Sequence, residues 1–219
     1  MYNTVVPTMC PLCGAPDPLF WHEDKRRPYM FCTICSLVFV HPHHYVSLKA
    51  EKAEYDLHEN SPADSGYRDF LHRICAPVME HMPACSAGLD FGCGPQPVLA
   101  GMLEEQGHDV CIYDYFYYPD MSVFYRQYDF ITASEVFEHL HRPAQELDRL
   151  YACLRPGGLL AVMTKPVSDR QAFGTWYYKE EQSHVCFYSE AAFAYIGETW
   201  GFRFEQAEND VVLLWKKGS

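Results

Sequence analysis

Four cysteines fall in two close pairs, Cys10-Pro11-Leu12-Cys13 and Cys32-Thr33-Ile34-Cys35, about twenty residues apart. Two such pairs can present four thiolates as a tetrahedron, the arrangement zinc takes with sulfur ligands. Protein then fills every coordination position, so such an ion is structural and not catalytic. A second centre is Gly88-Leu89-Asp90-Phe91-Gly92-Cys93-Gly94-Pro95-Gln96-Pro97. Leu89 to Phe91 read as the end of a buried strand, Gly92-Cys93-Gly94 as a tight turn, and Val98 to Gln106 as a helix closed by Gly107. Such a turn lets a ligand approach the backbone and offers it the free N–H groups of a helix end. Further on, Asp114 ends the apolar run Asp109-Val110-Cys111-Ile112-Tyr113. An acidic residue at that remove from the glycine turn can accept ribose hydroxyls. Glu135, His139 and His184 could move protons. An imidazole titrates near neutrality, which makes His184 the first candidate for a general base. The competing reading has His184 pin its loop to the following helix.

The elements around these residues divide the chain into three. Residues 1–44 read as a zinc ribbon: a hairpin-like segment, Leu19 to His22 and Tyr29 to Phe31, lies between the cysteine pairs. It has too few apolar residues to fold alone, and a bound metal would supply the missing folding energy. Leu37 to Val40 continue as an apolar strand, and His41-Pro42-His43-His44 read as a polar exit loop. Residues 45–85 read as a helical connector, with an amphipathic helix from Tyr67 to Met82 carrying Tyr67, Phe70, Leu71, Ile74 and Val78 on one side. Residues 86–219 alternate strands and helices. Ser189 is placed to cap a helix ending at Gly201, and Phe202 to Ala207 with Val211 to Trp215 read as a closing antiparallel hairpin.

Four segments occur in order: the glycine turn; Asp114 after its strand; Tyr128-Asp129-Phe130-Ile131-Thr132-Ala133-Ser134-Glu135-Val136-Phe137-Glu138-His139-Leu140; and Leu154-Arg155-Pro156-Gly157-Gly158-Leu159-Leu160. Together they resemble class I S-adenosylmethionine-dependent methyltransferases over roughly residues 66–217. The resemblance implies an α/β fold: a Rossmann-like sheet of six or seven strands with an antiparallel last strand, here with the small zinc ribbon in front. It implies S-adenosylmethionine as cofactor beside a structural Zn2+. It places Asp90, Phe91, Gly92, Gly94, Asp114, Tyr115, Ser134 and Glu135 at the cofactor. Asp90 would hold the loop and accept from the methionine amino group, and Ser134 and Glu135 would face the methyl. His139 follows Glu135 by four residues and is expected on the same helical face. The segment Trp176 to Ser189 is similar to a Trp-Tyr…acid-x-x-His-Val-x-Phe-Tyr-Ser pattern in small-molecule members. Trp176 and Tyr177, with Tyr55, His58 and Tyr67 of the covering connector, are candidate substrate contacts.

Two features depart from that pattern. Gln96, between two prolines, stands where a third glycine is common, and is expected to crowd the methionine end or donate to it. Only about fourteen residues separate Asp114 from Asp129, too few for a full helix and strand, so a third strand is expected to be stunted or absent. The acidic partner of the adenine amine is missing, and Tyr115 or Phe116 would cover the ring instead.

The net charge is −12 with histidine neutral. No basic stripe suits a duplex, and a nucleic-acid partner is not expected. Lys25-Arg26-Arg27, the densest basic run, reads as a solvated hairpin turn. No apolar run has membrane-spanning length and no signal peptide is evident. Six of the ten cysteines are scattered singly, which points to free thiols and a cytoplasmic setting. Neither Asn-Pro-Pro-Tyr nor a Pro-Cys nucleophile occurs. The reading that follows is methylation of a small or carrier-bound molecule on oxygen or carbon. RNA or protein gripped by the ribbon, and a non-enzymatic module on a decayed methyltransferase fold, are the alternatives. Nothing in the sequence sets an oligomeric state.

Overall fold

A computed structural model describes residues 9–57 and 61–218. The chain begins with the first cysteine pair and a hairpin of β1 (Leu19–Glu23) and β2 (Pro28–Phe31), followed by β3 (Val38–Val40). Helices α1 (Leu48–Tyr55) and α2 (Ser65–His81) lead into β4 (Ala87–Phe91), α3 (Val98–Glu104) and β5 (Asp109–Tyr113). Then come β6 (Tyr128–Ser134), α4 (Pro143–Cys153), β7 (Leu154–Met163), α5 (Arg170–Thr175) and β8 (Cys186–Phe187). Helix α6 (Glu190–Trp200) and the hairpin of β9 (Phe202–Glu208) and β10 (Val211–Lys216) complete the fold. The caps follow local chemistry: Ser189 accepts from the Ala192 amide at the start of α6, and Gly201 ends it in the left-handed region.

The main sheet has six strands in the order β5-β4-β6-β7-β10-β9. β5, β4, β6 and β7 are parallel, and β10 runs antiparallel to β7 and β9. This is the Rossmann-like arrangement with an antiparallel last strand. The third strand of the family pattern is absent from this sheet. Between β5 and β6 the chain makes only a bridge, Asp114 to Tyr118, and a 3-10 turn, Met121–Tyr125. The segment is too short for more, so β5 is left as an edge.

Strand alternation divides the core into two layers. Phe130, Leu159, Ala161, Met163, Val211 and Leu213 pack under α2 and α3. Ile131, Ala133, Leu160, Val162, Val212 and Leu214 face the other way, toward α4 and α6. That second layer runs without a break into the N-terminal segment, where Leu12, Tyr29, Leu37, Val38, Phe39 and Val40 belong to the same buried cluster. The small sheet is also shared. Its order is β1-β2-β3-β8, so the last strand comes from the loop after β7. The ribbon thus draws its apolar support from the larger domain as well as from its cysteines.

Each cysteine pair forms a knuckle with the same backbone bonds. The Gly14 amide donates to Cys10 O and the Cys10 amide to Ala15 O; the Ser36 amide donates to Cys32 O and the Cys32 amide to Leu37 O. The four Sγ atoms converge within 4.8 Å of one another, and all four cysteines are free thiols.

Gly88 marks the tightest strand contact. It lies opposite Phe130 in the β4–β6 pairing, and a Cβ there would sit 2.2 Å from the Phe130 ring. Gly88→Ala is therefore expected to destabilise the protein by about 1–3 kcal/mol, seen as a drop of several degrees in Tm by thermal denaturation.

Candidate active site

A cleft of about 750 Å³ opens at the carboxyl ends of β4, β5 and β6, where open parallel sheets bind ligands. Its floor is the glycine turn. Gly92 and Gly94 hold left-handed backbone, φ +76° and +66°, which glycine alone adopts without strain. The Gly92 and Cys93 amides donate to Tyr113 O at 2.7 and 3.1 Å, tying the turn to the end of β5. A Cβ on Gly92 would meet Val136 at 2.4 Å, whereas no atom lies within 4 Å of a Cβ on Gly94, which lines the cleft. The turn thus leaves room for a cofactor against its backbone.

Asp114 sits on the cleft wall and organises it. One carboxylate oxygen accepts from the Gly94 amide at 3.0 Å, and the other from Phe116 and Tyr117 at 2.8 and 3.1 Å. Phe91, Tyr115 and Ser134 also line the cleft. Asp90 does not. It is buried beneath the turn, accepting from the Thr132 hydroxyl at 2.9 Å. Burial raises its carboxyl to about 6, against the pull of the Thr132 and Ala100 donors. Gln96 is exposed and off the cleft lining, so it does not crowd the methionine end; the flanking prolines turn it outward.

Helices α1 and α2 form the cover and bring Tyr55 and Tyr67 into the lining. The Tyr55 hydroxyl donates to Glu51, and its ring meets Phe116 and His139 edge-on at 5.7 and 5.1 Å. His58 lies outside the described residues. Trp176 and Tyr177 are not brought to the cleft. Trp176 packs against Phe173, Tyr178 and Phe187, and Tyr177 is largely exposed beside Lys165. The neighbouring Tyr178 turns inward instead and is buried.

Glu135, His139 and His184 all line the cleft, though not by a shared helical face. Glu135 holds the left-handed region, φ +52°, as Asp17, Ser36 and Cys85 also do, and His139 ends a 3-10 turn, Phe137–His139. Strained backbone in a non-glycine residue is uncommon and concentrates at functional sites. One Glu135 oxygen is buried without a hydrogen bond, and the other takes the Tyr178 hydroxyl at 3.3 Å. Burial and the neighbouring Glu138 push the Glu135 carboxyl up to about 8. Glu138 is wholly buried, accepting from Thr164 and Tyr178, and burial raises its carboxyl too. His184 is engaged at both nitrogens, with Tyr178 O 2.6 Å from Nδ1 and Glu181 3.2 Å from Nε2. Burial works to raise Glu181, but the His184 hydrogen bond and charge outweigh it and hold the carboxyl at about 2.

The loop bearing Glu181 and His184 is fixed from the ribbon. Arg27 is 4% exposed, so it is no part of a solvated turn. Its guanidinium donates to four carbonyls: Gln182 at 2.6, Lys179 at 3.1, Glu181 at 2.8 and His184 at 2.9 Å. A fifth bond reaches Tyr29. Tyr178, Glu138, Glu181 and Arg27 went unremarked as site residues in the sequence. The acid-x-x-His spacing pointed to Glu181; nothing local marked Arg27.

A family model described as a methyltransferase domain matches residues 59–207. The chain belongs to this family, and with its fold it is an S-adenosylmethionine-dependent methyltransferase. No curated protein matches it in sequence. Among solved structures it is similar in fold to the 1,6-didemethyltoxoflavin-N1-methyltransferase of Burkholderia thailandensis, at TM-score 0.52 and 15% identity, over 93% of this chain and 100% of that one. It is also similar to an O-methyltransferase family protein of Burkholderia thailandensis, at TM-score 0.50 and 12% identity, over 77% of this chain and 63% of that one.

Two outcomes are expected. Because the folded Asp90 carboxyl lies above its ordinary 3.8, the native state holds this proton more tightly, and the group's contribution to stability falls as pH rises from about 4 through 6. Asp90→Asn removes that dependence. Its stability relative to the parent should rise by about 1–1.5 kcal/mol between pH 5 and 7.5 in urea titrations. Arg27→Lys cannot span four carbonyls. It should speed hydrogen exchange of amides 179–185 severalfold while those of β4 and β5 keep their protection.

Proposed function

We propose that the protein methylates a small or carrier-bound molecule on oxygen or carbon. The observation that supports this best is the cleft, in which the glycine turn and Asp114 face Glu135 and His139 beneath a helical cover. The neighbour from Burkholderia thailandensis, crystallised with 1,6-didemethyltoxoflavin and S-adenosylhomocysteine, is consistent with an acceptor of that size. The acidic balance argues against a nucleic-acid acceptor.

Bound S-adenosylmethionine supplies a methyl group on a positively charged sulfur. The backbone of Gly92 and Gly94 would hold it, with Asp114 accepting from its ribose. Glu135 would take the proton from an acceptor hydroxyl. Its unpaired oxygen favours it over His184, both of whose nitrogens are engaged. Tyr55 and Tyr67 exclude water from above.

The four convergent thiols fit a zinc ion with tetrahedral sulfur coordination, and the reducing cytoplasm would keep the remaining thiols free. This ion would be structural, holding the knuckles from which β1 to β3 extend.

Asp114→Ala should weaken S-adenosylhomocysteine binding by about 1–3 kcal/mol in calorimetry, since ribose hydroxyls and three backbone amides lose their acceptor. Unchanged affinity would reject the cleft as the cofactor site. Elemental analysis of protein expressed with ample zinc should find zinc, and Cys10→Ser with Cys35→Ser should lose one equivalent.

A further inference from the structure

We infer that Glu138, His139 and His184 form a second metal site, for a divalent transition ion, on the substrate side of the cleft. The inference rests on the methyltransferase reading above and narrows its acceptor atom to oxygen. One carboxylate oxygen and two imidazole nitrogens from these residues lie within 4.8 Å of one another. An ion bonded at about 2.0–2.2 Å would draw such atoms to roughly 3–3.5 Å apart. The two segments that supply them are already joined, the Val185 amide donating to Glu138 O at 2.7 Å.

The surroundings are those of a ligand set. Ligating histidines commonly give their other N–H to a backbone carbonyl, and ligating carboxylates are held by outer donors. His184 Nδ1 meets Tyr178 O at 2.6 Å, and Glu138 is held by the Thr164 and Tyr178 hydroxyls. His184 Nε2 faces a Glu181 oxygen 3.2 Å away, so a cation bound at Nε2 would have a further carboxylate beside it. A second observation points the same way: the buried Glu135 oxygen that accepts no hydrogen bond lies on this wall. The positive charge of Lys165 also acts on Glu135.

Two imidazoles and a carboxylate suit zinc, manganese or iron better than magnesium or calcium. Three protein ligands leave positions open. His139, His184 and Glu135 line the cleft while Glu138 lies behind them, so the open side faces the acceptor. A hydroxyl bound there would give up its proton more readily, and a neighbouring oxygen on the same molecule would complete a chelate. The ligand class is therefore a hydroxyl flanked by a second oxygen.

The test uses the full chain with its cysteine site filled with zinc, titrated with Mn2+ and followed by electron paramagnetic resonance. Mn2+ competes poorly for thiolates. One Mn2+ per chain is expected, with catechol as a probe lowering the water relaxation of the bound ion. E138Q and H184N should each weaken Mn2+ binding by about 100-fold or more while zinc content and S-adenosylhomocysteine affinity hold. No uptake of Mn2+, Co2+ or further zinc by the wild-type chain overturns the inference, as does equal uptake by both variants. If S-adenosylhomocysteine binds the wild type and no second metal does, the metal site alone fails. If S-adenosylhomocysteine does not bind, the methyltransferase reading itself falls.

Discussion

The arrangement of the cleft depends on one buried cation. Arg27 leaves the ribbon hairpin and spends its guanidinium on the carbonyls of residues 179, 181, 182 and 184. Among the described residues no carboxylate pairs with it directly, and its charge is balanced by a fan of backbone dipoles. Arginine suits this because its donors are fixed in one plane and stay charged when buried. The loop it gathers carries Glu181 and His184, and the next residues become β8. Without that anchor the loop would lose a charged donor at each of these carbonyls, at a cost to stability; among the described residues only Lys179 O and Glu181 O would keep another, from the Tyr29 hydroxyl and the His184 amide. The ribbon therefore braces the loop that lines the active site.

The opposite wall is built by backbone constraint. Glycine conformations at 92 and 94 and the left-handed Glu135 bring the ends of β4 and β6 together. Asp114 closes the arrangement by accepting amides from both the turn and its own loop. Rigid strand ends and hydrogen-bonded loops give the preorganisation that methyl transfer needs, since little except alignment and deprotonation limits the step. Where the third strand is missing, Tyr115, Phe116 and Tyr117 form the wall of the cleft.

What the sequence disclosed was local. The cysteine knuckles, the glycine turn, the Ser189 cap and the Gly201 stop each depend on a few adjacent residues, and each stands where the pattern put it. The short 114–129 segment excluded a strand by arithmetic. What it concealed was non-local. Arg27 looked like one charge in an exposed run because its partners lie more than 150 residues away. Trp176 and Tyr177 looked like substrate contacts because an aromatic pair after β7 has no phase until the 3-10 turn at Tyr177–Glu180 sets which ring points inward. Glu135 and His139 meet through a left-handed residue, not through helical periodicity.

The pairing of β3 with β8 also bears on how the protein is made. A ribosome delivers the cysteine knuckles first and Cys186–Phe187 about 150 residues later. Until then the small sheet lacks its last strand, and Val38, Phe39 and Val40 lack the layer that buries them. Closing a contact of that separation is slow. The N-terminal segment thus waits with its thiols and apolar strand accessible during synthesis, a window in which chaperones and oxidants compete for it. Separating the ribbon from the rest would not yield two working parts, because each is missing a strand or an anchor that the other supplies.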